Sequence, residues 1–140
     1  MDRRRDRGAS TLELALLTPI LLLVIMLVIQ FAMVFHARHV ALAAAQSGAR
    51  VARGQSTGDW KGASEAKARE YVQQIGPELL IGPGASAGGD QNQRWVTVTG
   101  TATPVVPFLK FHVTERSEGP IECYRPDTGG APVCQNQPRP

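Results

Sequence analysis

Residues 8–35 read GASTLELALLTPILLLVIMLVIQFAMVF, and the fold turns on how this stretch is taken. From Leu14 to Phe35 the only polar side chains are Thr18 and Gln30. A helix rising about 1.5 Å per residue over this length crosses the hydrocarbon of a bilayer, roughly 30 Å thick. The stretch therefore predicts a transmembrane helix over residues 9–35. One acid, Glu13, stands near its start, where the apolar run has already begun.

The flank before it, residues 1–8, holds Arg3, Arg4, Arg5 and Arg7 against Asp2 and Asp6. Clustered arginine before an apolar span favours the cytoplasmic side. The expectation is a single-pass protein of the cell membrane with a cytoplasmic N-terminus and an extracytoplasmic C-terminal domain. Three readings fit residues 1–35. A secretory signal peptide has an apolar region of about 7 to 15 residues, shorter than this one, and ends at a small-residue site such as Ala41-Leu42-Ala43. A plain anchor is the second. The third is a prepilin-type leader cut after Gly8, before the apolar stretch, which leaves the helix on the mature chain with Ala9 as its new terminus. Gly8 lacks a Cβ, so an extended backbone there enters a protease cleft easily. Glu13 divides these readings. An ionised acid costs about 2.5 to 3.5 kcal/mol at mid-span and less near the edge. Either it sits in interfacial water, or its carboxylate pairs with the freed amine of a neighbouring subunit's Ala9.

Pro19 removes one helix donor and is a kink candidate. Gln30 is either satisfied within the chain or bonded to another helix. Residues 36–54 turn alanine-rich without an obvious break and read as a helical stem. Ala41, Ala45 and Ala49 recur every four residues beside a row containing Gly48, a smooth stripe that lets another helix approach closely. His36 and His39 have helical spacing, but no third ligand accompanies them, so they read as interfacial side chains and no metal site is expected.

Residues 55–116 predict a small extracytoplasmic α/β domain. After a turn, an amphipathic helix runs from Asp59 or Ser64, both N-cap candidates, to Ile75, with Ala68, Tyr71, Val72 and Ile75 on one face. Gly76-Pro77 stops it. Ile81 to Gln93, IGPGASAGGDQNQ, reads as a loop; it lacks the Lys-Ser/Thr of a phosphate loop. Trp95 to Thr103 alternates as a half-buried strand, Val96 and Val98 inward. Past Pro104 and Pro107, Leu109, Phe111 and Val113 alternate as a second strand, predicting an antiparallel hairpin or small sheet packed on the second helix. Residues 117–140 read as a Pro/Gly-rich tail. Cys123 and Cys134 lie there, close enough in sequence for a disulfide worth roughly 3 kcal/mol in the chain-entropy model, which requires an oxidising compartment. The expected class is α+β: a long N-terminal transmembrane and stem helix, a second amphipathic helix, a small antiparallel hairpin or sheet, and a loop-rich C-terminus.

Composition limits the function. Once the span is removed, the rest of the 140 residues suffices for one small domain. Most of the net charge of +3 resides in the arginine head; beyond it stand eleven basic and ten acidic side chains, and no basic patch for nucleic acid is visible. No nucleophile with a base and an orienter, no metal-ligand cluster and no paired acids are seen. The expectation is a non-enzyme with no cofactor and no small-molecule substrate.

Gly8, Glu13 five residues on, Pro19 and the Leu/Ile/Val run resemble the TadE-like proteins of the tight-adherence (Flp) pilus system. The stretch ALAAAQSGARVARG, Ala41 to Gly54, is similar to the alanine-rich region ending in a "GAR" element that follows the anchor in that family. The resemblance implies a pseudopilin or minor pilin, processed by a prepilin peptidase and working with other pilins and the pilus assembly machinery. Ala9, in place of the Phe that many type IV pilins carry after the cut, departs from those pilins and fits the Flp branch. Two alternatives stand beside it: an unprocessed single-pass protein whose outer domain binds a partner, and a pseudopilin of a related secretion system.

Overall fold

The apolar run and the alanine-rich run join into one helix. In the computed structural model, which describes residues 5–54, 58–90 and 92–122 and side chains from Thr11 onward, α1 spans Arg5–Gly54. Its 50 residues make a rod about 75 Å long. A second helix α2 (Trp60–Ile75) follows, then strands β1 (Leu80–Gly89), β2 (Gln93–Ala102) and β3 (His112–Pro120). The strands form one antiparallel sheet in the order β1-β2-β3. The protein is α+β.

The two halves of α1 face different surroundings. None of its most apolar 18-residue stretch is buried by the other described residues. From Ala37 onward, Val40, Ala41, Ala44, Ala45, Ala49 and Ala52 are buried at helical spacing. The segment read as a stem is thus the central helix of the folded domain, with α2 and the sheet packed on it. Small side chains make this possible. A Cβ on Gly48 would lie 2.7 Å from the Ser64 carbonyl oxygen and 3.1 Å from the Ala68 Cβ, so the two helix backbones are close to touching.

Helix α2 begins where Asp59 caps it, its Oδ1 accepting from the Gly62 amide at 3.0 Å. It ends at Gly76, whose amide donates to the Val72 carbonyl at 3.0 Å. Ser64, Ala68 and Val72 form its buried face; Tyr71 is half-buried and Ile75 exposed. On β2, Arg94, Val96, Val98 and Ala102 point into the core while Thr97 and Thr99 point away.

Two expectations fail here. The glycine-rich segment is β1, not a loop. Its register sets Ala85 opposite Val98 and Ala87 opposite Val96, so small side chains face the core. Gly88 has no room for a Cβ because the Trp95 ring covers it, at 2.6 Å from Nε1. The outer edge of β1 is occupied by α2: Glu65 Oε1 accepts from the Ala87 amide at 2.9 Å, and Arg69 Nη2 donates to the Ala85 carbonyl at 3.1 Å. Side-chain bonds thereby complete a sheet edge that would otherwise be open. The second displacement concerns β3. Leu109 and Phe111 precede the strand, which starts at His112 and continues through Ser117 to Pro120, residues expected in the tail. Cys123 and Cys134 lie outside the described residues.

Two predictions follow from this packing. Gly48→Leu drives a side chain into the α2 backbone and destabilises the domain by about 1–3 kcal/mol or more, read from the denaturation midpoint of the detergent-solubilised chain. At the β1–β2 turn, the exposed Asp90 accepts from the Asn92 and Gln93 amides at 2.8 and 2.7 Å. These donors, Asn92 foremost, hold its carboxyl below the usual range. The turn therefore gains stability above the unfolded carboxylate value of about 3.9 and loses it as pH falls through the lower folded value. In an NMR titration the Gln93 amide shift moves with a midpoint under that of free aspartate, and Asp90→Asn abolishes the transition.

Candidate functional site along the anchor helix

From Leu12 to Ile29 nearly every large apolar side chain of α1 is exposed, Leu12 at 68% and Val28 at 63%. These 18 residues cover about 27 Å, close to the hydrocarbon thickness. A sleeve of this kind is not a core helix, because among the described residues none buries it. Nor does it suit a severed signal segment: a cut near Ala43 would fall inside α1, between the buried Ala41 and Ala44.

Polar groups along the sleeve are few and placed. Glu13 is exposed on the helix surface near its start. Thr18 donates its hydroxyl to the Leu14 carbonyl at 2.6 Å, so its proton is satisfied within the helix. Helix α1 continues through Pro19. Gly8 and Ala9 belong to the opening turns of α1, and their side chains lie outside the described set.

The sleeve ends at Gln30, which is fully buried. Its Oε1 accepts from the amides of Val105 at 2.6 Å and Val106 at 3.0 Å. The link between β2 and β3 is thereby tied to α1 just past Ile29. Sequence reasoning left the partner of Gln30 open, although the signal was present. In Pro104-Val105-Val106-Pro107 the prolines have no N–H, so the two valines are the only backbone donors, and one amide oxygen has lone pairs for both. Just above, the Phe31 and Phe111 rings lie 6.3 Å apart.

Ala41, Ala45, Gly48 and Ala49 are buried, and α2 and β2 of the same chain lie over Gly48. His36 and His39 are exposed; His39 meets the Phe35 ring edge-on at 4.4 Å. Arg38 lies 4.0 Å from Glu115. At the far end of α1, Arg94 is nearly buried. It donates to the Ala52 carbonyl and sits 4.3 Å over the Trp60 ring. Burial pushes its guanidinium below the ordinary value. A cation at a helix C-terminus, bonded to a terminal carbonyl, closes the rod at the end away from the sleeve.

An exposed apolar sleeve that runs unbroken into a small-residue packing helix is the feature a comparison can test. Residues 8–50 match the family model of TadE-like proteins. No curated protein and no solved structure matches the chain. The TadE-like segment includes the whole sleeve, Glu13, Gln30 and most of the alanine-rich packing face. The apolar part of that segment is long enough to cross a membrane.

Gln30→Leu keeps the apolar character of the helix but strands two amides. It should cost about 1–3 kcal/mol. Hydrogen exchange at Val105 and Val106 then rises sharply, while exchange in the middle of β2 changes little.

Proposed function

We propose that the protein is a pseudopilin-like, membrane-anchored component acting in assembly of a tight-adherence (Flp) pilus, with a structural and not a catalytic role. The observation that carries this reading is the uncovered sleeve of α1, continuous with the core of a small domain and lying within the TadE-like match. A helix that is greasy where the chain leaves it bare and alanine-rich where it is covered suits lateral packing in a bilayer beneath an outer domain. The arginine head supports a cytoplasmic N-terminus.

In this mechanism a prepilin peptidase cuts after Gly8. The amine of Ala9 is freed one helical turn before Glu13. The exposed Glu13 carboxylate of one copy then pairs with the Ala9 ammonium of the next. Each charge loses water as the helices pack, and each is neutralised by the other, which sets the axial offset between neighbours. Other pilins, pseudopilins and the assembly machinery are the partners.

N-terminal sequencing of the protein from a host carrying its own peptidase should give Ala9 as the first residue; a chain still carrying the arginine head defeats the processing step. Glu13→Ala should insert and be cut normally, yet leave piliation at less than half. Full piliation in that variant eliminates the pairing role.

A further inference from the structure

The loop between β2 and β3 has no assigned part in this scheme, and its tip is unusual. Phe108 is 99% exposed. Its backbone has φ 72°, a left-handed conformation that bulky side chains rarely adopt. Pro107 and Leu109 flank it and the exposed Lys110 follows. A short turn, Leu109 amide to Val106 carbonyl at 3.2 Å, holds the tip.

The position of the loop along α1 is fixed. Strand β2 runs antiparallel to α1: Arg94 lies at Ala52, Val96 at Gly48, and the amides of Val105 and Val106 at Gln30. The base of the loop is closed where the Ala102 amide donates to the Phe111 carbonyl. The loop therefore meets α1 at Gln30, within the run of exposed apolar side chains that extends from Leu12 to Phe35.

From this placement we infer that the Pro104–Phe111 loop is a second membrane contact, a wedge that seats the Phe108 ring at the boundary between headgroups and acyl chains. The inference rests on the reading of α1 as a bilayer anchor. The occupant is lipid and not another protein because the loop joins α1 beside its apolar belt: Val105 and Val106 bond Gln30, and Phe111 lies 6.3 Å from the exposed Phe31. Lys110 is exposed two residues past the tip, and a lysine at such a boundary lays its stem along apolar surface while its ammonium reaches the headgroups. An exposed Phe in a left-handed conformation is costly in water, and the hydrocarbon edge removes that exposure. A helix alone leaves the domain free to swivel about the rod; an off-axis wedge fixes which side of the domain faces the membrane.

The test uses the full-length chain in phosphatidylcholine vesicles with brominated acyl chains, which quench nearby tryptophan. Three variants are compared with the unsubstituted protein, whose Trp60 and Trp95 give the background. Phe108→Trp should add emission that more than halves when bromine lies near the headgroups. The loss should be smaller with bromine at the chain ends and independent of protein density. Leu21→Trp should be quenched most by deep bromine, and Glu118→Trp, at the far end of β3, not at all. Quenching at position 21 without quenching at 108 overturns the wedge and leaves the anchor standing. Absence of quenching at both positions overturns the anchor reading as well. Shielding at 108 that appears only at high protein density assigns the loop to a contact between copies, and the wedge fails.

Discussion

Everything in this molecule depends on α1 changing the size of its side chains while remaining one helix. Below Gln30 the helix carries Leu, Ile, Val and Met outward, and the described residues bury none of them. Above it, Ala and Gly let a second helix and a sheet come so near that the Gly48 backbone almost meets the Ser64 carbonyl. The larger core side chains, Val72, Leu80, Val96, Val98 and Val113, come from the other elements and fill the space that alanine leaves. Each contributes roughly 1.5–3 kcal/mol by leaving water. The stabilising area thus lies on α2 and the sheet, and α1 supplies the flat bed.

Much of this was legible from residue order because the signals were local. The apolar run, the Asp59 cap, the Gly76 stop and the Val96/Val98 alternation each rest on neighbours a few positions away. Strand β1 was hidden because glycine is a poor strand former in isolation. What makes the segment a strand is distant: the Trp95 ring needs Gly88 beneath it, and Glu65 and Arg69 bond its free edge. The start of β3 was misplaced for a similar reason. The Leu109/Phe111 alternation looks like a strand, but Gln30 takes the two donors between the prolines and draws that stretch off the ladder.

The candidate site divides along the same line. The sleeve stands out in the sequence because a long apolar run is read from neighbouring residues alone. The role of Gln30 is fixed by a partner 75 residues away, and the location of the alanine stripe inside the domain by α2 and β2. A stripe of small residues states that something comes close; only the fold states that it is the chain's own second helix.

Because α1 is a single helix from Arg5 to Gly54, angle becomes a matter of counting. Each residue advances a helix by about 100° and 1.5 Å. Adding or removing one position between Glu13 and Ala37 would swing the acid by more than a quarter-turn relative to the sheet while scarcely altering its depth. The compass bearing of that carboxylate is therefore written into the length of the chain, and a lengthened or shortened rod would present it to the wrong neighbour.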